Sequence, residues 1–344
     1  MDSQAPFFSI VIPTRDRPKL LEHALSSLRS QTFTDFEVIV CDNFKNKSSK
    51  EMFDKYADSR FRYVKPEQPL SMRDNWEFGV SLTKGKYVGV VIDKTFLFEN
   101  TLDEAAICIK EELPDFVSWG NAAFVPIDET FEKSSEGQLL IVDEQGDAFE
   151  INLQEEIARR CSLDVRMGDE GVKYGWGKVC FGFYSRTLLE KISSRFGRIF
   201  FGIAPDQSTS TAALALSQKG IFLNKTLQVS ILTTVGNGIT GSIDTTVTRR
   251  FTEESFPDLE LLKDYPIPNL WVSVHNVTAY DWLLAAKHFG YSLNQQNLTK
   301  RVSEDLAKIK LWKNLEERLE QFALLWNAEQ NWGVWQDKGG KFGY

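Results

Sequence analysis

Cysteine, histidine and methionine are all scarce in this chain: four, three and four among 344 residues. Cys41, Cys108, Cys161 and Cys180 are scattered, and no two form a CxxC pair. Neither a zinc knuckle nor a disulfide framework is suggested, and buried thiols in a reducing compartment are expected. Basic residues are outnumbered, 40 Lys and Arg against 48 Asp and Glu, for a formal net charge of -8. With no clustered Lys/Arg footprint, a nucleic-acid partner is not expected. No apolar run reaches the about 18 residues of a transmembrane helix. The start, Met1-Asp2-Ser3-Gln4, lacks the basic n-region of a secretory signal. The expectation is a cytoplasmic protein without a transmembrane segment, in contact with a membrane only at its periphery. HExxH, GxSxG and Walker-type loops are missing too, which leaves metalloprotease, common hydrolase and nucleoside-triphosphatase readings without support.

What is present is an alternation. With 42% hydrophobic residues, the chain can bury one large core or two smaller ones. The run 7–12, rich in Ile and Val, reads as a buried strand that stops at Pro13-Thr14-Arg15. Asp16 is placed to cap the following helix, and Pro18 is tolerated in its first turn. Leu20, Leu21, Ala24, Leu25 and Leu28 then share one helical face. Residues 36–41 form a second strand ending at Asp42-Asn43. A short helix over 48–57, a strand over 61–64, a helix over 72–82 and a central strand over 87–92 ending at Asp93 follow. Further on, 101–113, 185–195 and 206–219 read as helices, and 115–119 and 221–231 as strands. Residues 126–150 read as a loop or hairpin insertion, and 236–241 as a turn-rich loop. Such an order argues for a mostly parallel sheet of βαβ units flanked by helices. Beyond about 255 the pattern becomes helical. Trp312, Leu315, Leu319, Phe322 and Trp326 recur at steps of three and four, a stripe expected to dock on the chain's own core.

In open α/β sheets, ligands bind at the carboxyl ends of the strands, and polar residues stand at each of those ends here. Asp42 can accept from a ribose hydroxyl or a base N–H, or it can brace the next turn. Asp93 follows a strand buried on both faces, where a carboxylate can hold Mg²⁺ or Mn²⁺ on a substrate's phosphates. A second carboxylate is missing, because Lys94 and Thr95 come next. Asp206 opens a Ser/Thr/Ala-rich helix. It is either an N-cap or a general base that takes a proton from an attacking hydroxyl. His23 reads as structural. His275, in Trp271-Val272-Ser273-Val274-His275-Asn276, falls near the end of an expected strand.

These segments together resemble family 2 glycosyltransferases, inverting enzymes of GT-A fold with a Rossmann-like sheet. The resemblance is carried by Ser9-Ile10-Val11-Ile12-Pro13-Thr14-Arg15-Asp16-Arg17, Leu25-Ser26-Ser27-Leu28-Arg29-Ser30-Gln31-Thr32 and Phe36-Glu37-Val38-Ile39-Val40-Cys41-Asp42-Asn43. Arg73-Asp74-Asn75-Trp76 and Gly85-Lys86-Tyr87-Val88, with the strand to Asp93, continue it. It covers about 7–100 well and fades towards 230. It implies a transferase domain over 1–250 and a helical carboxyl-terminal extension over 251–344. It implies transfer of a hexose from a nucleotide-diphosphate sugar, UDP-linked, to a hydroxyl of a glycan, lipid-linked or protein acceptor, as in polysaccharide biosynthesis. Pro13, Thr14 and Arg15 would line the nucleotide pocket, Asp42 would hold the base, and Arg73 and Asn75 would lie near the sugar or diphosphate. Asp93 matches the first carboxylate of the DxD motif and Asp206 the acceptor-deprotonating acid. Because Thr95 replaces the second carboxylate, Asp93 is the one metal ligand implied, and Lys94 would stabilise the leaving diphosphate in the ion's place. The rival reading is a catalytically weakened nucleotide-sugar-binding protein of the same fold. A sugar-1-phosphate nucleotidyltransferase is disfavoured by the lack of glycine in Pro13-Thr14-Arg15. An interaction module would rest on the carboxyl-terminal aromatics alone.

Overall fold

The computed structural model describes residues 5–56, 58–125, 137–141, 146–232, 244–255 and 259–337. Most of the expected 126–150 insertion, the 236–241 loop and the tail after 337 lie outside them. The chain divides into two compact units: Met1–Glu156 with Glu170–Thr233, and Ile157–Asp169 with Thr234–Tyr344.

The first unit is built on a ten-stranded sheet. Its strands are β1 (Phe8–Thr14), β2 (Phe36–Asp42), β3 (Phe61–Val64), β4 (Tyr87–Val90), β5 (Thr95–Leu97), β6 (Phe116–Val125), β7 (Gln138–Leu140), β8 (Phe149–Glu150), β9 (Gly182–Ser185) and β10 (Gly220–Ile231). The order along the main path is β3-β2-β1-β4-β9-β6-β10-β5. β3, β2, β1 and β4 run parallel, and so do β6 and β10. β1 is buried at every position, as expected of a parallel strand covered on both faces. The helices α1 (Pro18–Arg29), α2 (Lys50–Tyr56), α3 (Met72–Ser81), α4 (Thr101–Glu112), α6 (Arg186–Phe196) and α7 (Pro205–Leu216) belong to this unit, and α5 (Leu153–Ser162) crosses from one unit into the other. Leu21, Ala24, Leu25 and Leu28 of α1 are fully buried, as their spacing requires.

Asp16 does not cap α1. Arg17 holds the N-cap position without a side-chain bond. Asp16 sits at φ 57, and its Oδ1 accepts from the backbone N–H groups of Lys45, Asn46 and Lys47 (3.1, 2.8 and 2.7 Å). Burial works upward on its carboxyl, but those three bonds and the nearby Arg15 bring it below the usual carboxylate range.

β9 is antiparallel and lies between β4 and β6. Glycine makes the close approach there: a Cβ on Gly182 would stand 2.0 Å from the Val117 carbonyl oxygen, which is backbone and cannot swing away. Gly182→Ala is expected to lower stability by about 1–3 kcal/mol, seen as an earlier denaturant midpoint at unchanged slope.

The second unit is helical: α8 (Thr245–Ser255), α9 (Val274–Ala286), α10 (Gln295–Lys308) and α11 (Leu315–Asp337). Two expectations fail here. His275 lies on a helix, not a strand, because Ser273 accepts from the Asn276 N–H and starts α9. The apolar stripe of α11 does not dock: Leu315, Leu319, Phe322 and Trp326 are exposed, while Glu317, Gln321 and Leu325 face inward. Hydrogen bonding decides the orientation. Glu317 Oε1 accepts from Thr245 Oγ1 (2.6 Å), and Gln321 Oε1 accepts from the Trp271 N–H (3.2 Å).

All four cysteines are free and buried. Among the described residues, no helix is long and apolar enough to cross a membrane.

Candidate active site

Three adjacent parallel strands deliver their carboxyl ends to one edge of the sheet. Thr14, the last residue of β1, is in register with Asp42, the last of β2. The β1–β4 ladder continues through the Val91 N–H, which donates to the Val11 carbonyl (2.9 Å) and carries the chain to Asp93. Thr14 Oγ1 donates to Asp93 Oδ2 (2.8 Å). Thr14, Asp42 and Asp93 are each almost wholly buried.

Asp42 divides its two oxygens. Oδ2 accepts from the Ser49 N–H (2.6 Å) and the Tyr63 hydroxyl (2.7 Å), with the Ser48 hydroxyl at 3.3 Å. That half braces the loop before α2. Oδ1 is buried and has no hydrogen-bond partner, an acceptor left for a donor from outside the chain. Burial, with the Asp42 carboxylate beside it, pushes the Tyr63 phenol up to about 12, so the hydroxyl stays a donor at neutral pH. Asp42→Ala is expected to strand the Ser49 and Tyr63 donors at a cost of about 1–3 kcal/mol. Thermal melts of the variant against wild type measure that cost.

Asp93 is divided in the same way. Its Oδ2 receives Thr14 and, at 3.0 Å, Arg17 Nε, while Oδ1 is buried without a partner. Burial drives the Asp93 carboxyl upward, against the pull of Arg17, Thr14 and Lys94. Burial also pulls the Lys94 ammonium down, and Arg17 adds to that while Asp93 opposes it. Thr95 is turned to the sheet, with its hydroxyl 3.2 Å from Ser230 Oγ.

Pro13 is buried in β1 opposite Cys41, and Arg15 follows the strand, half-buried. Arg73 and Asn75 lie in the first turns of α3, which Ser71 caps by accepting from the Asp74 N–H. Asn75 Nδ2 reaches the Cys41 carbonyl (3.4 Å), just before Asp42, and its Oδ1 is buried and unpartnered. Arg73 Nε lies 3.6 Å from Asp74 Oδ1, which Arg198 also engages at 2.6 Å.

Asp206 stands apart. It occupies the first turn of α7 without capping it, since Ala204 is the N-cap and makes no side-chain bond. Its Oδ2 lies 3.4 Å from Nζ of Lys178, a side chain only 3% exposed. That ammonium lies 3.5 Å from the centre of the Tyr174 ring. Burial works downward on Lys178, but Tyr174 and Asp206 outweigh it and hold the ammonium above its ordinary range. No hydrogen bond or ion pair among the described residues joins this cluster to Asp93. The structure therefore gathers Thr14, Asp93 and Lys94 in one place, sets Asp42 beside Asn75, and leaves Asp206 with Lys178. Sequence reasoning missed Arg17, Tyr63 and Lys178. Arg17 lay inside the opening motif and carried a usable signal; the other two carried none.

A divalent cation does not fit the Asp93 pocket. One carboxylate is present, with one of its oxygens taken by a threonine and an arginine, a lysine beside it, and a threonine hydroxyl turned away. Among the described residues, no three His, Cys, Asp or Glu side chains come together to hold an ion.

Residues 9–93 match the model of "Glycosyl transferase family 2". The chain is 23% identical over 221 residues to Glycosyltransferase GlyG of Streptococcus pneumoniae, covering 64% of this chain and 68% of that protein. It is 28% identical over 100 residues to the GalNAc(5)-diNAcBac-PP-undecaprenol beta-1,3-glucosyltransferase of Campylobacter jejuni, covering 28% of this chain and 32% of that relative's length. Among solved structures, S. aureus TarS 1-349 in complex with UDP-GlcNAc superposes with a TM-score of 0.51 at 16% identity, covering 95% of this chain and 91% of that one. The likeness places the mixed sheet and its flanking helices among GT-A folds.

Proposed function

We propose that this chain, whose residues 9–93 match the model of glycosyl transferase family 2, moves a sugar from a UDP-linked donor to an acceptor hydroxyl with inversion at the anomeric carbon. The observation that carries the reading is the pair of buried carboxylate oxygens without partners, Asp42 Oδ1 and Asp93 Oδ1, at the carboxyl edge of adjoining parallel strands. Asp42 accepts from the nucleobase, with Pro13, Thr14 and Arg15 lining the pocket. Arg73 and Asn75 face the sugar and diphosphate. Asp206 takes the proton of the acceptor hydroxyl. The hydroxyl oxygen bonds to the anomeric carbon as the bond to the diphosphate breaks on the opposite face, and the departing charge meets Lys94.

In this reading residues 1–250 are the transferase domain and 251–344 a helical carboxyl-terminal extension. A lipid-linked glycan acceptor agrees with the name of the Campylobacter jejuni relative. Cytoplasmic residence with peripheral membrane contact belongs to the same proposal, and cell fractionation checks it. The test of the whole is titration with UDP-GlcNAc and a UDP-release assay on one preparation. Binding with release in the presence of acceptor supports the transferase. Binding without release favours the weakened nucleotide-sugar binder to which Thr95 points, and absence of binding overturns both.

A further inference from the structure

We propose that Arg17 and Lys94 stand where a divalent cation would, forming a metal-free clamp for the donor's diphosphate with Asp93 as its anchor. The inference rests on the transferase reading and deepens it.

The charges favour an anion. Asp93 supplies one negative charge, and Arg17 already neutralises it at 3.0 Å. Lys94, half-buried on the next residue, adds a second positive charge to the same turn. An arriving dication would be repelled by both, whereas a diphosphate would be attracted by both. The geometry agrees. Arg17 meets Asp93 through Nε at 3.0 Å. A guanidinium pinned at one corner presents its remaining N–H groups in a fixed fork, the arrangement suited to phosphate oxygens. Thr14 completes the anchor by holding the same carboxylate oxygen. Thr95 is no rival ligand, since it is 2% exposed and its hydroxyl faces Ser230. Arg17 is thus a donor-binding residue, and Asp93, usually a metal ligand in this position of the motif, is a positioning residue that aims it.

The experiment is calorimetric titration of the full chain with UDP and with uridine, in excess EDTA and again with Mn²⁺. Wild-type protein should bind UDP with the same affinity in both conditions. Arg17→Met should weaken UDP binding by roughly 10- to 100-fold, the effect of losing a charge-assisted contact, and leave uridine binding unchanged. The double variant Arg17→Met with Asp93→Asn removes the carboxylate that the single variant strands, and it should show the same loss. Retained uridine binding certifies a folded pocket. UDP binding that requires Mn²⁺ overturns the clamp while sparing the transferase reading. Wild-type UDP affinity in both variants also overturns it. Binding of neither probe by the wild type brings down the transferase reading, and the clamp with it.

Discussion

Asp206→Asn is expected to cut turnover by about 10²–10⁴-fold, the usual contribution of a positioned general base, while UDP binding stays near the wild-type value. Asparagine keeps the shape and the place in the first turn of α7 but cannot take a proton. Lys178 makes the assignment specific. A buried ammonium 3.4 Å from Oδ2 limits where the carboxylate can point. Steady-state UDP release with saturating donor and acceptor measures the effect, and calorimetry on the same variant separates catalysis from binding. If Asp206 served only the helix, through its favourable place near the amino end of the dipole, the substitution would lower stability by less than about 1 kcal/mol and leave the rate alone. An unchanged rate therefore assigns the proton to another group.

The second large effect concerns the helical unit. Asp305→Ala should cost on the order of 3–5 kcal/mol, because a single carboxylate serves three buried donors. Its Oδ2 accepts from Ser273 Oγ (2.6 Å) and from the His275 N–H (2.9 Å), and its Oδ1 lies 2.9 Å from His275 Nδ1. On the far side of the ring, His275 Nε2 accepts from the Met167 N–H (3.0 Å). That bond places the ring proton on Nδ1, facing Asp305. Both ring nitrogens are occupied, so the imidazole joins three chain segments and has no lone pair left for a metal. Amide exchange across α9 and α10 should accelerate most in the variant. Asp305→Asn, which keeps one accepting oxygen, should recover part of the loss. Equal protection in Asp305→Ala and wild type would contradict this account.

Much of the first unit was legible because burial on both faces writes itself as a run of Ile and Val, which locates β1, β2 and β4 and with them the edge holding Thr14, Asp42 and Asp93. Spacing could show that Lys94 and Thr95, and no second carboxylate, follow Asp93. It could not show that Arg17 reaches Asp93, because that contact depends on how the loop from Thr14 turns into α1. Asp16 looked like a cap for the same reason: its neighbours in sequence suited a helix start, and the loop 45–47 that claims it is distant along the chain. Lys178 was hidden in a glycine-rich stretch whose periodicity is weak. The failure at α11 has another cause. An apolar stripe reports which face of a helix can dock, and here buried hydrogen bonds from Glu317 and Gln321 choose the other face. At His275, β-branched neighbours suggested a strand, but the serine cap before it governs the local backbone.

Thiols react as thiolates, and burial pushes Cys41 up to about 12 and Cys108 and Cys161 up to about 11, with Cys180 higher still. The native chain should therefore be silent towards alkylating reagents at neutral pH. Each sulfur then becomes a built-in clock for its own surroundings, labelled only when those surroundings open. Cys41 times the breathing of β2 just before Asp42. Cys161 times the helical unit, the other three the first unit, and mass spectrometry can read all of them in one chain without an introduced probe.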